Sequence, residues 1–207
     1  GEPLAIFPDG EVQPMRVAGT SALAAKYLAK KDARSVALIG TGWQAQAQLR
    51  AIKSIGEIAD YRVYSTQKEN RDGFSMEWSE KRGTQIRPCN SAEEAVAGAD
   101  IVLLATNSLE NVAQEDWLQP GMHLSSIKSP EISAEVIKRC DVAVCHVPHG
   151  RPTQEFGAGA SLPAGIGANI DEMAKRVGLE DMPTLADIIS GNVAGRTNDT
   201  EITCFLN

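Results

Sequence analysis

Short apolar runs alternate with amphipathic stretches along the chain. The apolar runs are three to five residues long and are typical of β-strands: Val36–Ile39, Tyr61–Tyr64, Gln85–Arg87, Ile101–Ala105, His123–Ile127 and Val142–Cys145. Most of them lack a strict polar alternation, which indicates strands that are covered on both faces, as in a parallel sheet.

The stretches between these runs predict helices. Leu23, Ala24, Tyr27 and Leu28 fall on one helical face. The predicted helices are Thr20–Lys30, Gln44–Ser54, Asn70–Arg82, Ser91 to Gly98 and Ala134–Arg139. Repeated strand–helix alternation predicts an α/β fold with a doubly wound, mostly parallel, Rossmann-like sheet.

The two ends of the sequence and one internal segment do not follow this strand–helix alternation. Ala5–Phe7 predicts a strand that enters a turn at Pro8, and 200–206 predicts the start of a helix. The Gly- and Ala-rich segment Gly157–Gly167 predicts a loop.

Composition and charge narrow the functional classes. The 207 residues are 43% hydrophobic and carry a net charge of −7, which indicates a globular protein and disfavours a nucleic-acid partner. No apolar run reaches the roughly 20 residues of a membrane span. Four scattered cysteines indicate reduced thiols, and Cys145, His146 and His149 lack a second cluster that would complete a metal site. We therefore expect a cytoplasmic protein without a metal, membrane or nucleic-acid partner.

The strongest chemical signal follows the first predicted strand. Gly40 and Gly42 begin a G-x-G-x-x-A motif that ends at Ala45 and opens a helix. The first glycine permits the tight turn, the second lets a pyrophosphate approach the backbone, and Ala45 allows close helix–strand packing. The helix N-terminus then offers N–H groups to the phosphates. The alternative is a glycine-rich turn without a ligand.

The end of the second predicted strand lacks the acid that NAD sites place on the ribose. Ser65, Thr66 and Lys68 stand there instead. Hydroxyls and a lysine accept a 2′-phosphate, which a carboxylate repels, so we expect NADP(H), with NAD(H) as the alternative. Lys68 as a merely solvated residue is the competing interpretation. The missing acid also disfavours S-adenosylmethionine.

Three motifs in the same order resemble those of the ornithine cyclodeaminase/mu-crystallin family. They are Arg16–Ala29, the turn Gly40–Gln48 and the closing segment Gly195–Thr203. The resemblance implies a Rossmann domain that binds NAD(H) or NADP(H). The family includes cyclodeaminases, alanine dehydrogenases, imine or ketimine reductases, and crystallins that bind NADPH, so the resemblance implies one of these functions.

Carried over by position, the resemblance implies a set of site residues. Arg16 would approach both the cofactor pyrophosphate and the substrate carboxylate. The alternative interpretation is that Arg16 is an ordinary surface arginine without a role in binding. Lys128 would be a substitute catalytic acid or base, against the alternative of a solvent-facing loop lysine. The implied cofactor-binding residues are Arg16, Gly40, Gly42, Trp43, Gln44, Ser65, Thr66, Lys68, Ala105, Thr106, Ser125, Ile127 and Asn198.

Two departures from the family pattern limit these expectations. The aspartate of cyclodeaminases after the fifth strand is absent, and Glu131, the nearest carboxylate, is out of register, which disfavours ornithine cyclodeamination. The family's N-terminal substrate and dimer region is also missing. We therefore expect a truncated chain: strand remnants in 1–15, a Rossmann domain in 16–190, and a closing segment in 191–207.

The favoured function is an oxidoreductase that uses NADPH to reduce an imine or amino-acid-like small molecule. The alternatives are a crystallin-like protein that binds NADPH without turnover, and an ornithine cyclodeaminase with a displaced acid. The resemblance implies a homodimer for the intact family member.

Overall fold

Parallel strands form the centre of the molecule. The computed structural model describes residues 2–7, 9–128, 131–146 and 182–207. Within them, seven strands pair in the order β3-β2-β1-β4-β5-β7-β6, and every pairing is parallel. The strands are β1 Ser35–Ile39, β2 Asp60–Tyr64, β3 Ile86–Pro88, β4 Ile101–Leu104, β5 His123–Ser126, β6 Val142–Cys145 and β7 Thr203–Leu206. The predicted α/β class is confirmed.

Helices cover both faces of this sheet. They are α1 Asp9–Leu28, α2 Trp43–Ile52, α3 Lys68–Arg82, α4 Ala92–Val96, α5 Ala134–Lys138 and α6 Leu185–Ile189, with 3-10 turns at Lys53–Ile55 and Glu115–Trp117. Along β1, Val36 and Leu38 pack into one apolar cluster, while Ala37 and Ile39 pack into another on the opposite face. This alternation between two cores explains why the strand sequence is apolar throughout.

Two expectations about the ends are wrong. No strand forms at residues 5–7, and a helix, α1, begins at Asp9. It runs across the predicted 15/16 boundary and packs against α2. The predicted C-terminal helix is strand β7, because Thr203 and Phe205 are fully buried between β5 and β6. The predicted loop Gly157–Gly167 lies outside the described residues.

The amino edge of the sheet, where the strands begin, is fastened by a carboxylate. Asp100 accepts hydrogen bonds from the N–H groups of Arg34 and Ser35 (2.8 and 3.0 Å) and forms a 2.7 Å ion pair with Lys30. Burial raises the pKa of Asp100, but hydrogen bonds from these partners outweigh burial and lower it to about 2. Asp100 thereby joins the start of β4 to the start of β1.

A buried histidine is expected to make the fold sensitive to acid. The hydroxyl of Thr203 donates to the Leu28 carbonyl (2.8 Å), so Nδ1–H of His123 donates to that hydroxyl (2.9 Å). Nε2 of His123 has no partner among the described residues. Burial, and then the nearby Arg196 guanidinium, lower the pKa of His123 to about 3.

Replacement of His123 by asparagine, which keeps one N–H donor, is expected to reduce this acid sensitivity. Between the unfolded pKa of about 6.5 and the folded value, the unfolded chain binds the extra proton, so stability falls as the pH falls. The slope for one proton is about 1.4 kcal/mol per pH unit. Urea unfolding of both proteins from pH 7 to pH 4.5 measures it. Equal slopes for the two proteins would contradict this assignment.

Some apolar side chains lie outside both cores. Leu4 and Ile6 are 96% and 91% exposed, and Met15 and Trp43 border a shallow groove of about 300 Å³ between α1 and α2.

In the described part of the chain, no helix is both long and apolar enough to span a membrane.

Candidate functional site

A cleft of about 940 Å³ opens at the carboxyl edge of the sheet, where the strands end. The strand order reverses between β1 and β4, because β2 and β3 lie on one side and β5 to β7 on the other. Ligands of open α/β sheets bind at this kind of switch point. The volume is near the top of the range of roughly 300–1,000 Å³ found for small-molecule sites.

A glycine bend between β1 and α2 forms the floor of the cleft. The N–H of Gly40 donates to the Tyr64 carbonyl (2.8 Å), and its φ is +116°. A Cβ at this position would lie 2.2 Å from the carbonyl oxygen of Ala105, so only glycine fits. A Cβ at Gly42 would meet nothing within 4 Å and would project into open space.

The first turn of α2 has the features of an anion site. No side chain caps it, and it contains no acidic residue. Its backbone N–H groups and the positive end of the helix dipole are therefore open to an anion in the cleft. Gln44 is almost fully buried, donates to Gln13 (2.7 Å), and has no partner for Oε1 among the described residues. Trp43 lines the cleft and is 52% exposed.

The end of β2 supplies the wall on one side. Ser65 and Thr66 both line the cleft, and the buried Arg71 fixes this loop by donating to the Ser65 carbonyl (3.1 Å). Lys68 does not line the cleft, and its ammonium forms an exposed ion pair with Asp72 one turn along α3. Glu69 in the same turn does line the cleft.

The ends of β4 and β5 supply the other wall, and a buried carboxylate joins them. Ala105, Thr106 and Ile127 line the cleft. Oε1 of Glu131 accepts from the Thr106 N–H (2.6 Å) and hydroxyl (2.8 Å), while Oε2 accepts from the Ile127 N–H (3.1 Å) and lies 2.9 Å from the Ser126 hydroxyl, which shares its hydrogen with the Lys128 carbonyl (2.7 Å). Both carboxylate oxygens of Glu131 are therefore occupied.

The two predicted catalytic residues lie outside the lining of the cleft. Arg16 is exposed on α1, with Nη1 3.5 Å from Nδ1 of His146, which follows β6. Burial, and then the Arg16 guanidinium, lower the pKa of His146. The backbone of Lys128 is held by Ser126 and Glu131, whereas no contact of its ammonium is found within the described ranges.

Besides Arg16 and Lys68, two further predicted cofactor residues lie away from the cleft. Ser125 is buried on the same face of β5 as His123, and its hydroxyl has no partner in the described part of the molecule. Asn198 lies at the amino edge, where Oδ1 accepts from the N–H groups of Thr200 and Glu201 (3.0 and 3.1 Å) and shapes the turn into β7. These positions give neither residue a contact with the cleft.

Several cleft residues were missed by sequence reasoning. Arg71 lies beneath one wall and was not identified, and Glu131 beneath the other was identified only as a carboxylate out of register; the rarity of buried charged side chains marks both once burial is known. Other missed residues line the cleft directly. These are Tyr64, Gln67, Glu69, Asn70, Gly73, Phe74, Glu77, Asn107, Ser108 and Val112. Asn107 and Ser108 were detectable, because they directly follow a buried strand whose neighbour is the glycine bend.

The residues present fit a dinucleotide. The absence of a side chain at Gly42 leaves open space against the backbone, no side chain caps the first turn of α2, and the buried Oε1 of Gln44 has no hydrogen-bond partner among the described residues. Gly42 and the first turn of α2 would hold the diphosphate, Ser65 and Thr66 the adenosine ribose, and Thr106 and Ile127 the nicotinamide half.

Comparison with known proteins identifies the family. The model of the ornithine cyclodeaminase/mu-crystallin family matches residues 1–207. An ornithine cyclodeaminase from Agrobacterium fabrum is 32% identical over 99% of this chain and 55% of its own length. A Delta(1)-pyrroline-2-carboxylate reductase from Bacillus cereus is 30% identical over 99% of this chain and 62% of its own length.

Solved structures show the same similarity. A Delta(1)-pyrroline-2-carboxylate reductase from Thermococcus litoralis, in complex with NADH and L-proline, superposes with a TM-score of 0.82 and 30% identity over 100% of this chain and 62% of that protein. An archaeal alanine dehydrogenase dimer with bound NAD gives a TM-score of 0.78 and 26% identity, over 99% of this chain and 61% of that protein. The chain thus spans little more than half of the length of these relatives. Because the family model matches along the full sequence, this chain belongs to the ornithine cyclodeaminase/mu-crystallin family.

Proposed function

We propose that the chain binds NADP(H) in the cleft and serves hydride transfer to an imine or amino-acid-like substrate. The observation that carries the proposal is the glycine bend at Gly40, which leads directly into the uncapped first turn of α2 at the switch point of the sheet. Backbone N–H groups at this position suit a diphosphate, and a reduced nicotinamide, when bound, supplies the hydride.

The side chains of the chain orient the reactants and shield them. Thr106 and Ile127 would border the nicotinamide at the ends of β4 and β5. Arg16 supplies a planar cation near the same edge, suited to the substrate carboxylate or the diphosphate. His146 beside it accepts a hydrogen bond from this cation in its neutral form, which the lowered pKa favours. Lys128, after β5, is the proposed proton donor to the reduced substrate.

A reductase is favoured over a cyclodeaminase by the state of Glu131. A displaced catalytic carboxylate needs an oxygen that reaches the substrate proton. Both oxygens of Glu131 instead accept hydrogen bonds from Thr106, Ser126 and Ile127 inside the protein. The relatives named as pyrroline-2-carboxylate reductase and alanine dehydrogenase support an imine or an oxo acid with ammonia as the substrate class.

A preference for NADPH over NADH is part of the proposal. It is supported by Ser65 and Thr66, which line the cleft where NAD sites carry an acid. Replacement of Ser65 by aspartate is expected to weaken NADPH binding by about tenfold or more, because one repulsive charge contact costs about 1.4 kcal/mol. NADH binding should be unchanged or stronger, because an acid at this position accepts a hydrogen bond from the ribose 2′-OH. Fluorescence titration with each nucleotide measures both affinities.

Ser108 provides the matched control, since it lies on the other wall of the same cleft. Replacement of Ser108 by aspartate adds the same charge and is expected to weaken both nucleotides to a similar degree. If the Ser65 variant also weakens both nucleotides equally, the proposed discrimination at Ser65 is wrong.

The activity itself is tested in two steps. The chain is first titrated with NADPH, and the protein that contains it is then assayed for NADPH oxidation with cyclic imine carboxylates, and with 2-oxo acids plus ammonia. Binding with turnover supports the reductase. Binding of NADPH without turnover on any of these substrates would favour a non-catalytic nucleotide-binding protein, and absence of binding in a folded sample would remove the proposal.

We also propose a homodimer for the intact protein. The exposed Leu4, Ile6 and Phe7 and the groove beside Met15 and Trp43 leave apolar surface on the N-terminal side. Apolar surface of this kind is typical of regions that another domain or subunit covers.

A further inference from the structure

Glu131 is a buried carboxylate beside the cleft, and both of its oxygens accept hydrogen bonds. It is fully buried, and four donors surround it at 2.6–3.1 Å. Its own backbone carbonyl accepts from Val112 (2.9 Å) and Ala113 (3.1 Å), so the residue itself is held in place. A buried charged group is stable only when its hydrogen-bonding capacity is met in this way.

The four donors come from two different strand ends. Thr106 follows β4 and offers its N–H and hydroxyl to one oxygen. Ile127 and Ser126 at the end of β5 offer an N–H and a hydroxyl to the other oxygen. Thr106 and Ile127 both line the cleft, whereas the Glu131 side chain lies behind them and is not part of the lining.

This arrangement requires that both side-chain oxygens of residue 131 accept hydrogen bonds. A backbone N–H points at each oxygen, one from Thr106 and one from Ile127. A glutamine in the same position turns its NH2 group toward one of these N–H groups, whichever way the amide is oriented. A backbone N–H cannot rotate to become an acceptor. One of the two strand ends therefore loses its hydrogen bond to residue 131.

We propose that Glu131 is a positioning residue that fixes Thr106 and Ile127 against the nicotinamide half of the bound dinucleotide. The inference rests on the proposed function, because it assigns the nicotinamide half to this wall. Glu131 acts through the two residues that it holds and does not itself touch the nucleotide. The adenosine end, near Ser65 and Thr66, lies on the opposite wall and does not depend on Glu131.

The test compares two ligands that differ only in the nicotinamide. NADPH contains it, and ADP-ribose 2′-phosphate lacks it. In Glu131→Gln, the affinity for ADP-ribose 2′-phosphate is expected to stay within about twofold of the unmodified chain, while the affinity for NADPH falls by about tenfold, the effect of losing one hydrogen bond to a charged group. A general loss of stability would lower both affinities together.

Asp100→Asn is the matched control. Asp100 also joins two neighbouring strands through backbone N–H donors, but at the amino edge of the sheet. This variant is expected to be less stable while the ratio of the two affinities is unchanged. A ratio that shifts equally in both variants would overturn the assignment to Glu131.

Ser126→Ala keeps the inference testable if Glu131→Gln does not fold. Ser126 is buried, contacts Glu131 and does not line the cleft. Its loss is expected to shift the same ratio in the same direction, by about two- to fivefold. If the unmodified chain binds neither ligand, the proposed function fails. If it binds both and neither variant shifts the ratio, the inference about Glu131 fails while the proposed function stands.

Discussion

Replacement of Gly42 by alanine is expected to abolish dinucleotide binding while the chain still folds. A Cβ at Gly42 meets no protein atom within 4 Å, and its backbone has φ −77° and ψ −173°, which alanine adopts without strain. The methyl group occupies the space in which the diphosphate must approach the α2 N-terminus. We expect affinities for NADPH and NADH to fall at least about a hundredfold, with a stability change below about 1 kcal/mol.

Isothermal titration with each nucleotide, combined with thermal unfolding in the absence of nucleotide, separates the two effects. Gly73→Ala is a suitable control, since Gly73 also lines the cleft and a Cβ there meets nothing within 4 Å, but it lies on α3 away from the bend. Near-normal nucleotide affinity in the Gly42 variant would show that the diphosphate does not lie against this residue.

Replacement of Gly40 by alanine is expected to damage the fold itself. Its φ of +116° is unfavourable for an L side chain, and its Cβ would lie 2.2 Å from the Ala105 carbonyl oxygen and 2.8 Å from the carbonyl carbon. Backbone strain and forced displacement of a buried strand end together cost about 3–5 kcal/mol. For a chain of this size, the melting temperature should fall by roughly 10 °C or more.

Calorimetry of the Gly40 and Gly42 variants side by side measures the contrast between them. Both variants should lose nucleotide binding, but only Gly40→Ala should lower the melting temperature by roughly 10 °C or more. Equal stability of the two variants would mean that the chain at Gly40 relaxes away from Ala105, and that the tight approach is not needed for folding.

The sequence was sufficient to predict the bend and strands β1 to β6 of the sheet, because each has a local cause. Strands such as Ile101–Leu104 are apolar on both faces, and only a two-sided core explains that pattern. The G-x-G-x-x-A motif predicted the bend, since the positive φ at Gly40 and the close approach to Ala105 are properties that glycine alone permits.

The features that were missed depend on distant contacts. The start of α1 was obscured by Gly10 and by Pro14 inside the helix, and packing against α2 outweighs these local signals. The strand β7 exists because β5 and β6 pair with it on either side. Glu131 was recognised only as a carboxylate out of register, because its partners follow two strands that the sequence does not place side by side.

The positions of Ser125 and Asn198 show a further limit of reading sites by motif. A side chain at the end of a strand points to one face or the other, so Ser125 enters the core while Ser126 meets Glu131. Asn198 belongs to a motif of the family, yet its side chain builds the turn before β7 at the amino edge. Motif order fixes neither the face nor the edge on which a residue acts.

The bend from Gly40 to Gln44 is proposed to hold the diphosphate of a nicotinamide dinucleotide. A crystal structure of the chain at saturating NADPH is the decisive experiment. We expect diphosphate oxygens at about 2.7–3.2 Å from backbone N–H groups in the first turn of α2, with the adenosine ribose beside Ser65 and Thr66. If the nucleotide binds elsewhere, or if the indole of Trp43 covers the bend while the nucleotide is bound, the proposed diphosphate site is wrong.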